Sequence, residues 1–116
     1  MRRRHGAELA AWALTALVGG CVDIDELADT ACPPQGSALT WDNFGKSFMD
    51  QWCVHCHGGP NGYSSRALNS REAVQANLQR VFVNAAAGNV AMPPGPNDPP
   101  RTERDKLAQW LSCGAK

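Results

Sequence analysis

Two cysteines and two histidines stand within five consecutive residues, CVHCH, from Cys53 to His57. The chain has 116 residues, which is enough for one domain. A domain of this size buries little apolar surface, so it often depends on a disulfide, a metal or a cofactor for stability. The cluster is therefore the feature that most limits what the chain can fold around.

Three kinds of site use such a cluster. A structural zinc ion needs four ligands, usually from two pairs, but Cys32 and Cys113 are single and distant in sequence. A dithiol oxidoreductase places C-x-x-C in a β-α-β unit, and no alternating β-branched run here is long enough to predict a strand. The third site is C-x-x-C-H, the attachment motif of c-type haem.

In the haem interpretation, each residue of the motif has a geometric role. Cys53 and Cys56 lie three positions apart on one helical turn, so their thiols can form thioethers with the two vinyl groups of one haem. His57 then presents its imidazole to the iron. Val54 and His55 are spacers, because the side chain of His55 is expected to point away from the iron.

Helical patterns surround the motif. The first helix is predicted from about 41 to 51, with Thr40 as its N-cap, and the second from Ser70 as N-cap to about Ala85. The last is predicted to begin at Thr102, in a capping box with Asp105. The predicted fold class is all-α, because no segment favours a strand.

Around the motif, the chain resembles the small single-haem class I cytochromes c with histidine–methionine ligation. In that family, a glycine eight residues before the first haem cysteine lets the N-terminal helix cross the C-terminal helix, and Gly45 has this spacing. Met49 occupies the large-residue position four before the cysteine, and Leu107-Ala108-Gln109-Trp110 matches the family's Leu-x-x-aromatic. The resemblance covers roughly residues 40–114. It implies a cytochrome c-like fold, with three main helices around one covalently bound haem c.

The resemblance also implies a second iron ligand. Met92 stands in Ala91-Met92-Pro93-Pro94, within a proline-rich segment before the last helix, where the family has its axial methionine. Met49 is expected in the helix contact instead. The family's Pro-x-Leu, whose carbonyl accepts the ring N–H of the histidine ligand, is replaced here by Arg66-Ala67-Leu68. A backbone carbonyl near residues 65–67 is expected to take that role.

This ligand set implies an electron carrier and not an enzyme, because a filled sixth position leaves no place for a substrate. A histidine–methionine pair also raises the reduction potential. The expected partners are other cytochromes, an oxidase or a dehydrogenase. Three alternatives stay open: a haem-based sensor or ligand-binding module with a labile Met92, a weak peroxidase, and a lipoprotein without haem.

The first 20 residues are predicted to be a signal peptide. Arg2–Arg4 precede the apolar run Leu9–Val18, which is about half as long as a membrane span. Val18-Gly19-Gly20-Cys21 resembles the bacterial lipoprotein signal, which implies cleavage before a lipidated Cys21. An ordinary secretory peptide, with Cys21 as a free thiol or disulfide partner, is the alternative.

The predicted organisation is therefore a signal peptide at 1–20, a tether at 21–39 and a haem domain at 40–116. Cleavage removes three arginines and one glutamate, which leaves 8 basic and 10 acidic side chains. Such a balance gives no basic patch for nucleic acid. The expected location is the cell envelope, lipid-anchored and facing the periplasm, and Val22 slightly favours the outer membrane.

Export would place the remaining cysteines where disulfides form. If the terminal helices cross as they do in the family, the segment that carries Cys32 lies against the end of the last helix. The resemblance therefore implies a disulfide between Cys32 and Cys113. Two unpaired thiols are the alternative.

Overall fold

The computed structural model describes residues 21 and 23–116, so the predicted signal peptide at 1–20 lies outside the described residues. Every regular element in the described range is helical, which confirms the all-α prediction. A π-helical turn (Trp41–Gly45) runs directly into α1 (Lys46–Trp52), and the other helices are α2 (Val54–His57), α3 (Arg71–Gln75), α4 (Leu78–Ala85) and α5 (Arg101–Ser112). Two short 3₁₀ turns lie at Leu27–Asp29 and Gly59–Asn61. None of the helices in this range has the length and apolar character to cross a bilayer.

Two of the predicted helix starts are confirmed by their caps. The backbone N–H of Asn43 donates to the Thr40 hydroxyl at 3.2 Å, and the Asn43 side chain accepts from the Thr40 backbone at 2.7 Å. The N–H of Ala73 donates to the Ser70 hydroxyl at 3.1 Å. Both hydroxyls therefore satisfy amide groups that have no partner inside the helix.

The predicted second helix is interrupted. The side-chain amide of Asn77 donates to the carbonyl of Ala73 at 2.8 Å, and its backbone N–H donates to the carbonyl of Val74 at 2.9 Å. Because the Ala73 carbonyl would accept the Asn77 backbone in a continuous α-helix, the side chain competes with the helical bond. The helix therefore divides into α3 and α4.

The start of the last helix was also predicted slightly wrongly. Helix α5 begins at Arg101 directly after Pro100, whose side chain makes no cap hydrogen bond. Asp105 pairs with Arg101 at 2.7 Å, one helical turn away, and so the predicted capping box with Thr102 does not form.

The terminal helices cross at Gly45. A Cβ atom built on this glycine would lie 2.5 Å from Cη2 of Trp110, so only a glycine allows this approach. Phe44 packs edge-on against the same indole, with ring centroids 6.0 Å apart. Met49 and Leu107 are fully buried in the same core. The crossing implied by the resemblance is thus present.

The region around the start of the first helix is tied to the C-terminal residues. Cys32 and Cys113 form a disulfide with their Cα atoms 4.9 Å apart, as predicted. The carbonyl of Lys116 accepts from the backbone of Trp41 at 2.8 Å and from the indole of Trp110 at 3.1 Å. These contacts fasten the start of the first helix to the end of α5.

A few residues of the segment between 23 and 39 contact the helices and the turns between them. The Asp25 carboxylate accepts from the backbone N–H of Gly88 at 2.7 Å, and the Asp25 backbone exchanges two hydrogen bonds with the Asn89 side chain. Leu27 and Leu39 rest against the core. The segment therefore braces the turn that follows α4.

Candidate functional site

A mainly apolar cavity of about 250 Å³ lies beside the crossing of the terminal helices. The four side chains predicted to hold haem and iron all line it: Cys53, Cys56, His57 and Met92. Apolar walls come from residues on α1, on α4 and in the loop between α2 and α3: Phe48, Leu68, Val81 and Ala85. Three distant parts of the sequence therefore meet around one cavity.

The motif occupies a single helical turn, as predicted. Helix α1 ends at Trp52, and Cys53 adopts φ −120°, which separates α1 from α2. The carbonyl of Cys53 then accepts from the backbone N–H of Cys56 at 3.2 Å and from that of His57 at 2.9 Å. This turn brings both thiols and the imidazole to the same cavity wall.

The orientation of the His57 ring is set by a backbone carbonyl. Nδ1 of His57 lies 2.8 Å from the carbonyl oxygen of Arg66. Because a carbonyl can only accept, Nδ1 carries a proton, and in the neutral imidazole Nε2 then has its lone pair available for an acceptor or ligand role. This carbonyl lies within the expected range 65–67, although the sequence has no proline there.

The loop that supplies this carbonyl is fastened to the motif. Ser64 donates its backbone N–H to the carbonyl of Cys56 at 2.9 Å, and Leu68 donates to that of His57 at 2.8 Å. A Cβ atom on Gly62 would lie 2.6 Å from the Cys56 carbonyl oxygen, so the loop backbone approaches the motif very closely. The carbonyl that orients the His57 ring therefore lies in a loop that is hydrogen-bonded to the motif itself.

Burial also affects the first thiol of the motif. It raises the pKa of Cys53 to about 12, and the positive charge of Arg104 only partly opposes this effect. A buried thiol resists ionisation because the thiolate would lose its hydration. The Cys53 thiol therefore stays neutral at physiological pH in the haem-free chain.

Met92 is held through its backbone. Its N–H donates to the carbonyl of Asn84 at 2.7 Å, and its carbonyl accepts from Nη1 of Arg104 at 2.8 Å. The residue is 43% exposed, and its side chain lines the cavity near Pro93. The proline-rich segment is thus attached to α4 and α5 at this residue.

The sequence analysis did not identify Arg104, although its position in the helical pattern is unusual. Arg104 lies three and seven positions before Leu107 and Leu111, on the apolar face of α5, where a charged side chain is unexpected. Arg80 was also not singled out, and it lines the cavity from an exposed position, as does Arg66, of which only the backbone carbonyl was expected to act. No sequence pattern points from Arg80 to the cavity.

The remaining predicted residues lie elsewhere. Cys21 is exposed, at the start of the described chain. His55 is exposed and stacks edge-on with Tyr63, with ring centroids 5.8 Å apart. Within residues 21 and 23–116, no group of three or more histidine, cysteine, aspartate or glutamate side chains is arranged to hold a metal ion.

The chemistry of the cavity lining fits a haem with thioether links. It offers apolar walls for the porphyrin, two thiols on one helical turn, an imidazole with Nε2 available, and a methionine thioether. These groups are the attachment and ligand set of a c-type cytochrome with histidine and methionine on the iron. The fit depends on the side chains themselves and on the hydrogen bond that fixes the histidine tautomer.

A family model described as cytochrome c oxidase, cbb3-type, subunit III, matches residues 43–111. This range covers more than half of the chain, from the first helix almost to the end of α5. No curated protein and no solved structure shows a significant match. Cytochrome c domains carry covalent haem c and typically transfer electrons. The chain belongs to the family of cytochrome c oxidase, cbb3-type, subunit III.

Proposed function

We propose that the chain binds one haem c in this cavity and carries single electrons. Cys53 and Cys56 form the thioether links, His57 binds iron through Nε2, and Met92 binds it through sulfur. A haem c with these ligands cycles between ferric and ferrous iron. The observation that carries the proposal is the contact of His57 Nδ1 with the Arg66 carbonyl, because it leaves Nε2 available at the cavity that the other three residues line.

The same residues favour an electron carrier over an enzyme. Met92 and His57 would both bind the iron, which would leave no coordination position for a substrate. The loop contacts of His57 and the backbone contacts of Met92 support a ligand set that changes little between oxidation states. Small structural change favours fast electron exchange. A weak peroxidase activity is expected only when Met92 leaves the iron.

The proposed location is the cell envelope, facing the periplasm. Residues 1–20 act as a lipoprotein signal, Cys21 carries the lipid, and residues 21–39 connect it to the haem domain at 40–116. The disulfide between Cys32 and Cys113 supports an oxidising compartment. Val22 after the lipidated cysteine slightly favours the outer membrane.

The proposed partners are redox proteins of that compartment. The matched family is described as a subunit of a cbb3-type cytochrome c oxidase, which supports an oxidase as the electron acceptor. Other cytochromes or a dehydrogenase would supply the electrons. With 8 basic and 10 acidic side chains after cleavage, the chain has no excess of positive charge for nucleic acid.

One observation favours a second candidate, a haem-based sensor or ligand-binding module. Met92 is 43% exposed and stands in an irregular segment, so it could exchange for a diatomic ligand. Carbon monoxide separates the two candidates, because it binds ferrous haem only where a coordination position is open.

The test uses the exported protein with its haem attached, reduced with dithionite at neutral pH. A carrier reacts slowly and incompletely with carbon monoxide, whereas Met92→Ala, as the positive control, reacts rapidly and fully. Rapid and tight binding by the wild-type protein would replace the carrier proposal with the sensor.

A further inference from the structure

Arg104 is a charged side chain in the core of the protein. It is 2% exposed, and its guanidinium bonds the last residue of α4 and three points in the segment between α4 and α5. Its acceptors are all backbone carbonyls: those of Ala85, Asn89 and Met92 on Nη1, at 2.8, 2.9 and 2.8 Å, and that of Pro99 on Nε, at 3.2 Å. Because Nη1 carries two hydrogens, two of its three carbonyls share one of them. One guanidinium therefore bonds to the end of α4, to the middle of the following segment and to the residues just before α5.

This arrangement is costly for stability alone. None of the four acceptors is a carboxylate, so the buried charge has no ionic partner among them. Nη2 is buried without a hydrogen-bond partner, and it is the only such side-chain nitrogen or oxygen in the described chain. A buried donor left unpaired lowers stability, and an apolar residue of similar size is often the more stable choice. Stability alone therefore does not explain why an arginine occupies this position.

One of the four contacts of Arg104 is to Met92 itself. The Met92 N–H is held by the Asn84 carbonyl at 2.7 Å, and its carbonyl is held by Arg104. Asn89, which also accepts from Arg104, is fixed in turn by a side-chain bond to the Phe82 carbonyl at 3.0 Å. Both backbone polar groups of Met92 thus have hydrogen-bond partners on the neighbouring helices.

We propose that Arg104 is a positioning residue for Met92, which holds the methionine sulfur within reach of the iron in both oxidation states. The inference rests on the proposed function, because it assumes that Met92 is a ligand. Thioether sulfur is a weak donor, so ligation depends on how often the backbone presents it. A planar guanidinium has five donors, more than any other side chain, so it can fix several carbonyls at once.

The experiment compares Arg104→Leu and Arg104→Gln with the wild-type holoprotein. Leu removes all donors and keeps an apolar side chain on the apolar face, whereas Gln keeps one amide donor. The matched controls are Arg101→Leu and Arg101→Gln, since Arg101 is exposed one turn earlier on α5. Two readouts are used: the near-infrared sulfur-to-iron charge-transfer band of the ferric protein, and the rate of carbon monoxide binding to the ferrous protein.

We expect Arg104→Leu to lose most of the charge-transfer band and to bind carbon monoxide at least tenfold faster, with covalent haem retained. Arg104→Gln should be intermediate, and both Arg101 variants should match the wild type. A band and a binding rate unchanged in both Arg104 variants, whatever their thermal stability, would overturn the inference and leave a purely structural role. A wild-type protein without the band would refute ligation by Met92 itself, and the inference with it.

Discussion

The histidine and methionine sides of the cavity are built in different ways. On the histidine side, Cys53, Cys56 and His57 share one helical turn, and the carbonyl that orients the ring is only nine residues away. On the methionine side, Met92 stands in an irregular segment and depends on contacts from α4 and α5. One side is local in sequence and the other is assembled by tertiary packing.

This difference predicts how the site responds to damage. A local turn can form before the rest of the chain has folded, whereas the methionine side exists only when α4 and α5 are in place. Regions that depend on few, long-range contacts open at lower free energy than compact local ones. We therefore expect weakened packing to release Met92 first and to leave the histidine and both thioethers unchanged.

The largest expected effect is on the histidine side. His57→Ala should remove nearly all holoprotein, because the attachment motif loses the ligand that places the iron beside the two thiols. Covalent haem is measured by mass spectrometry of the exported protein. His55→Ala is the matched control within the same turn, and it should retain normal haem content. Equal loss in both variants would contradict the distinct roles of the two histidines.

The disulfide tests how the methionine side is supported. Replacing Cys32 and Cys113 together by alanine should lower the free energy of unfolding by about 4 kcal/mol, since the bond closes a long loop. The charge-transfer band of the ferric protein, which reports Met92 on the iron, should then disappear at a lower denaturant concentration than the ligation of iron by His57. Loss of less than about 1 kcal/mol would show that the other contacts suffice.

A direct change on the methionine side should spare the covalent haem. Met92→Ala should keep both thioethers but lower the reduction potential by about 120 mV or more, a hundredfold shift in the one-electron equilibrium. Met49→Leu is the matched control, because Met49 is buried at the helix crossing and this exchange nearly conserves volume. Potentiometric titration measures the reduction potential of both variants. A potential that is unchanged in Met92→Ala would show that another residue, or none, binds the iron.

The smallest expected effect is at the helix crossing, which supports both sides. Gly45→Ala should destabilise the protein by about 1–3 kcal/mol, because the added methyl group would overlap the Trp110 ring. Denaturant unfolding of Gly45→Ala, Trp110→Phe and the double variant gives the coupling between the two positions. A smaller ring at 110 should recover part of the loss. Strict additivity would mean that the two residues do not meet.

Sequence reasoning succeeded where the determinants are local or periodic. Thr40 and Ser70 cap their helices through their own side chains, and CVHCH needs only one turn to bring its groups together. The approach at Gly45 was implied by the resemblance and is explained by the close contact with Trp110. These features depend on neighbours in sequence or on a fixed spacing.

What the sequence did not reveal depends on distant partners. The helix breaks at Asn77 because its side-chain amide, and not its backbone N–H, donates to the Ala73 carbonyl. Helical periodicity does not predict which of these two groups forms the bond. Asp25 meets Gly88 across 63 positions, so nothing near either residue predicts the pair. Arg104 appeared as one charge on an apolar helix face, and only the folded chain shows which carbonyls it binds.

The central claim is that the cavity holds a covalently attached haem with His57 and Met92 on the iron. The absorption spectrum of the exported protein, recorded before and after dithionite, tests it most directly. We predict a sharp α-band in the reduced protein and a sulfur-to-iron charge-transfer band in the oxidised protein. A reduced spectrum without a sharp α-band would contradict the account.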